Sequence, residues 1–132
     1  MNFDAQQIFA NLAEKERLKG HHSPEGQAIR TLSRALHGWL SGSLLAADVV
    51  VLCDQAVEDW LKARMKVSEW SAIGLMELIA AAAQTNLLTS AEAEKLRRVH
   101  EIRRRWPGTA VVAADAESAL QNSIEIIEER WG

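Results

Sequence analysis

The 132-residue sequence concentrates its chemically capable side chains in one place. Residues 95–105 hold Lys95, Arg97, Arg98, Arg103, Arg104 and Arg105 against a single carboxylate, Glu101, with His100 among them. This stretch carries +5 in a chain whose total is −3, so the remainder stands at −8. Guanidinium groups grip phosphates and carboxylates through paired hydrogen bonds, and an imidazole exchanges protons near neutral pH. The chemistry on offer is phosphate recognition. A sequence pI of about 5.8 argues against a broad nucleic-acid footprint.

Other reactive groups have plainer roles. His21, His22, His37 and His100 match no tight metal-ligand spacing, so no metal is expected. Cys53 is the single cysteine, which excludes an intrachain disulfide, and its apolar surroundings point to packing. Asp54, Glu58 and Asp59 fall at helical spacing and read as a solvated acidic edge, with Lys62 as a partner. Neither a glycine-rich phosphate loop, a nucleophile elbow nor a paired-carboxylate motif occurs, and no cofactor is expected.

The elements that must position these groups are helices. Apolar residues make up 48% and charged residues 25%, which suits one globular domain over residues 1–132. Only 7 Gly and 2 Pro are available as breakers, too few for a sandwich or barrel of short strands. Residues 4–18 form an amphipathic pattern through Ala5, Ile8, Phe9 and Leu12, stopped by Gly20. Ser23-Pro24 suits the start of a second helix that presents Ile29, Leu32, Leu36 and Trp39. Gly38 and Ser41-Gly42-Ser43 weaken it. A third helix, about 43–66, is the most apolar and should be central, with Leu45, Val49, Leu52, Ala56, Val57 and Trp60 inward.

Ser68 caps an expected fourth helix, about 69–84, with Ile73, Met76, Ile79 and Ala83 inward. Thr89 and Glu92 make a capping box for a fifth that stops at Trp106, before Pro107-Gly108. The last runs over about 113–130 through Ala116, Leu120, Ile124 and Ile127. Trp39, Trp60, Trp70 and Trp106 are expected in the core, and Trp131 at the surface or in an oligomer contact. The expected architecture is all-α: an up-and-down bundle of five or six helices. No run approaches the roughly 20 apolar residues of a membrane span. The start of the chain lacks a signal-peptide pattern, and with one cysteine a cytoplasmic setting is expected.

On a wheel of the fifth helix, Leu96, Val99, Ile102 and Trp106 form the buried arc, while Arg97, Arg98, Arg104 and Arg105 face away. The outward four read as a solvated face near a helix C-terminus, where cations are favoured. Arg103 falls inside the apolar arc and His100 at its border. An unpaired charge there is costly, so Arg103 must either meet a carboxylate of the fold or line a cleft or subunit interface.

The run from Leu96 to Gly108, with Leu96-Arg97-Arg98-Val99-His100-Glu101-Ile102-Arg103 at its centre, resembles the signature helix of HEPN domains. These are small all-α domains named for higher eukaryotes and prokaryotes nucleotide-binding proteins. The similarity extends over about 25–130. It takes in the apolar helix Leu45 to Leu61, the connector Asn86 to Ser90 and the opening of the last helix, Ala114 to Leu120.

The resemblance implies a homodimer. Many members are metal-independent ribonucleases with an Arg-x(4–6)-His pair at the dimer cleft. Arg103 matches that arginine, but Gly108, Thr109 and Ala110 stand where the histidine belongs, and no histidine follows His100. Arg104 replaces the usual asparagine. The resemblance therefore implies a non-catalytic HEPN-like dimerising or partner-binding module of a bacterial-type toxin–antitoxin, defence or regulatory system. A cognate antitoxin of nucleotidyltransferase type is its expected protein partner, and RNA a less favoured one. The alternatives are a divergent RNA-binding or RNA-cleaving member, for which the resemblance implies Arg103 and His100 as candidate catalytic groups and Arg103, Arg104 and Arg97 as candidate RNA or phosphate contacts, or a generic helical interaction domain.

Overall fold

A computed structural model describes residues 4–68 and 70–130. Among these the chain forms six helices and no strand: α1 (Ala5–Lys19), α2 (Pro24–Leu40), α3 (Ala46–Arg64), α4 (Leu75–Gln84), α5 (Ser90–Arg105) and α6 (Ala113–Arg130). Local signals set most ends. Asp4 caps α1 by accepting from the Gln7 N–H, and Ser23 caps α2 by accepting from Gly26 with Pro24 in the first turn. Thr89 and Glu92 form the reciprocal capping box of α5: Glu92 N–H donates to Thr89 Oγ1 at 3.1 Å, and Thr89 N–H to Glu92 Oε1 at 2.8 Å.

The bundle is organised around α3, which touches α2, α4, α5 and α6, while α1 packs on α2. Val49, Val50, Cys53, Ala56, Val57, Trp60 and Leu61 of α3 are buried. They meet Ile29, Leu32 and Leu36 of α2, Leu96 and Val99 of α5, and Leu120, Ile124 and Ile127 of α6 in one core. Each buried leucine or isoleucine contributes about 1.5–3 kcal/mol, so the wide apolar face of α3 is the main organiser of the fold.

Several expectations fail for local reasons. The fourth helix begins at Leu75 and not near 69, with Gly74 as its cap. Ser68 and Ser71 instead accept from the N–H groups of Trp70 and Ile73, holding the segment in turns. The buried residues of α4 are accordingly Leu75, Leu78, Ile79 and Ala82, and Ile73 is exposed. Leu45 precedes α3 and is 75% exposed, and Leu52 is only partly covered. Of the tryptophans expected inside, Trp60 is buried and Trp39 partly so, but Trp70 is 88% exposed and Trp106 47%. Trp106 ends α5 in an extended conformation, so its position on a helical wheel no longer applies. Trp131 lies outside the described residues.

Candidate functional site

The residues singled out on α5 meet a carboxylate that sequence reasoning placed elsewhere. Asp54 does not lie on an outer acidic edge; only 1% of its surface is exposed. Its oxygen Oδ2 accepts from His100 Nδ1 at 2.8 Å and from Arg103 Nη1 at 3.0 Å. The two donors stand three residues apart on α5, which puts them side by side on the face that packs against α3. The clue was present. Asp54 follows Val50 by four residues and precedes Val57 by three and Leu61 by seven, so it sits in line with the buried stripe. Its membership of a charged cluster with Glu58 and Asp59 hid that position.

The arrangement answers a physical demand. A carboxylate taken out of water costs several kcal/mol unless charge and hydrogen bonds compensate it. One carboxylate oxygen carries two lone pairs and can accept both donors. The Arg103 side chain remains 37% exposed, so its charge is held at the boundary of the core. Because Asp54 only accepts, His100 donates through Nδ1, and in the neutral ring Nε2 is left as the acceptor. His100 and Arg103 are thus brought together. Arg104 and Arg97 are not.

Those two arginines serve their own helix. Arg97 pairs with Glu94 at 3.2 Å and Arg104 with Glu101 at 3.3 Å. Arg98 also reaches Glu94, at 3.5 Å, and Arg105 donates through Nε to the Glu101 carbonyl. These are the short-range pairs of a solvated helix face. On α3, Lys62 pairs with Glu58 at 3.7 Å and donates to the Ser71 carbonyl.

Cys53 adjoins Asp54 in sequence but belongs to the core. Burial pushes its thiol far above the ordinary range; the nearby Ser123 hydroxyl opposes the shift and the Asp54 charge adds to it. A thiol so disfavoured from ionising is a poor nucleophile. Among the described residues no three His, Cys, Asp or Glu side chains converge as a metal site would require. Nor is any described helix long and apolar enough to cross a membrane.

Fold and cluster together define an all-α bundle in which α5 is fastened to a buried carboxylate on α3. Neither a protein-family model, nor a curated protein, nor a solved structure matches the chain.

Proposed function

We propose that this chain is a non-catalytic helical module of HEPN type that works by association with a second copy or with a protein partner. The observation that carries the non-catalytic part of this reading is the engagement of Arg103 by Asp54 of its own chain. The HEPN type rests on the sequence resemblance alone, and an Arg103 paired within its own chain rather than across a dimer cleft speaks against it. An arginine meant to hold a scissile phosphate is best left uncommitted, whereas this one neutralises a buried carboxylate. The sequence also lacks a histidine on the C-terminal side of Arg103. Arg97 and Arg104 are tied to neighbouring glutamates, which weakens the case for an RNA surface. Exposed Trp106 and Val112 flank the junction of α5 and α6 and offer apolar area to a partner.

One observation favours a second reading, a divergent ribonuclease. A histidine oriented through Nδ1 by a carboxylate presents Nε2 as a base, and Arg103 lies beside it. Metal-free incubation with a mixed RNA pool separates the two. The proposal expects no cleavage, and cleavage lost in both His100→Ala and Arg103→Ala overturns it. Sedimentation across a concentration series tests association. A dimer weakened by Trp106→Ala supports self-association. A monomer at every concentration removes the self-associating form and leaves the partner-binding form. Co-purification of the tagged chain with its genomic neighbour tests that form, and failure there as well overturns the proposal.

A further inference from the structure

Away from Asp54, the outer side of α2 carries a second cluster of basic residues. Arg30, Arg34 and His37 recur at intervals of four and three residues and so share one helix face. They rim an open cleft of about 450 Å³ whose apolar wall is made by Leu44 and Leu52. That volume falls in the range of small-molecule sites. The wall depends on Gly38. A Cβ there would sit 2.3 Å from Leu44 Cδ1, so only glycine lets the leucine lie against α2.

These groups are not equivalent. Arg30 is committed to Glu16 at 3.1 Å, and His21 joins the same carboxylate oxygen. Burial works to raise the Glu16 pKa, but hydrogen bonds from His21 and Arg30 outweigh it and hold the carboxyl below its usual value. Glu16 is therefore ionised and supplied with partners. Arg34 is exposed, and no ion pair or hydrogen bond among the described residues engages its guanidinium. His37, at the rim, meets Phe9 edge-on at 6.2 Å between ring centres. One uncommitted guanidinium thus stands beside an apolar wall, one helical turn from Arg30, whose charge Glu16 takes up.

We propose that this cleft binds a small monocarboxylate with an apolar tail, its carboxylate on Arg34 and its tail against Leu44 and Leu52. A planar guanidinium matches a carboxylate through two parallel hydrogen bonds. The wall rewards an aliphatic body. One free arginine sets the charge: a monoanion is matched by Arg34, whereas the second charge of a phosphate monoester finds no free guanidinium, Arg30 being engaged by Glu16. The site is independent of Asp54, His100 and Arg103 and stands whether or not the chain cleaves RNA.

Titration calorimetry with octanoate, 1-octanol and octyl phosphate tests the assignment, with amide chemical-shift mapping to locate the probe. Octanoate is expected to bind with Kd on the order of 1 mM or tighter, shifting amides within residues 30–52. Octanol is expected to bind at least about tenfold more weakly, and Arg34→Ala to weaken octanoate by a similar factor. Arg34 is exposed, so this variant should keep the helical circular dichroism of the parent. The proposal is overturned by equal binding of octanol and octanoate, by an unaffected Arg34→Ala, or by shifts that map elsewhere. Tighter binding of octyl phosphate overturns the monoanion assignment.

Discussion

Asp54 and Arg103, 49 positions apart in sequence, share a 3.0 Å hydrogen bond in which the carboxylate is buried and the guanidinium reaches solvent. His100 shares the same oxygen, so removing one donor leaves the other. Arg103→Ala and His100→Ala are each expected to cost about 1–2 kcal/mol, since partly exposed charges are screened and one donor survives. The double variant strands a buried charge and is expected to lose about 3–5 kcal/mol, more than the sum of the two at the low end. Adding Asp54→Asn to the double variant removes that charge at nearly constant shape and should recover stability. Urea unfolding of the parent and the four variants measures the series. Simple additivity with no recovery would mean that Asp54 is not the source of the cost.

The two tryptophans that bracket the end of α3 make a sharp contrast. Trp60 is buried in the core, while Trp70 projects into solvent from the turn before α4. Trp60→Ala is expected to cost about 3–5 kcal/mol, the usual penalty for emptying a large core site. Trp70→Ala should change stability by no more than about 0.5 kcal/mol. Paired denaturation curves decide the matter, and a large loss at Trp70 would place that indole in the core after all.

That contrast marks what the sequence could convey. Helix number, the central place of α3 and the caps at Ser23 and Thr89 follow from local spacing and from side chains that satisfy nearby amides, so they were legible. The inward residues Ala116, Leu120, Ile124 and Ile127 of α6 were legible for the same reason. Trp70, Ile73 and Trp106 were misplaced because the helices around them start later or stop earlier than apolar periodicity alone implies. That Arg103 must meet either a carboxylate of the fold or a cleft or subunit interface followed from its place on an apolar arc. The choice between them, and the identity of Asp54, did not, because both depend on how α5 packs across α3. The cleft at Arg34 was hidden too, since its apolar wall joins Leu44, in a loop that Gly38 admits, to Leu52 of α3.

Cys53 links burial to pH. Its thiol is pushed up by burial, whereas in the unfolded chain it ionises near 8.5. Above that value the unfolded state gives up a proton that the folded state keeps. Stability therefore falls as pH rises past about 8.5, by roughly 1.4 kcal/mol per pH unit for this one group. The contribution is fully present below that pH. Cys53→Ala should remove this part of the alkaline slope, read as the difference between the two proteins' stabilities from pH 8 to 10. In parallel, the native thiol should resist a disulfide reagent at pH 8 until denaturant is added. Parallel pH profiles or rapid native labelling would contradict the burial argument.

Gly26 should reverse the ordinary rule for glycine in a helix. Replacing a helical glycine by alanine commonly stabilises by about 0.4–1 kcal/mol, because the unfolded chain loses freedom. Here an added Cβ would lie 2.0 Å from the carbonyl oxygen of Gly20. That carbonyl is not free to move. It accepts from the Ser23 N–H at 3.1 Å and from Ser23 Oγ at 2.8 Å, while Gly20 itself closes α1 with φ of +92° and an N–H bond to Glu16. Ser23 Oγ in turn caps α2 by accepting from the Gly26 N–H at 2.9 Å. Displacing Gly20 would therefore disturb the end of one helix and the start of the next at once. Losing the Ser23 cap alone costs about 1 kcal/mol, and the strain at Gly20 adds to it. Gly26→Ala is expected to lower stability by about 2 kcal/mol or more in urea unfolding. A neutral or stabilising result would show that the two helix ends do not approach as closely as the Gly20–Gly26 contact requires.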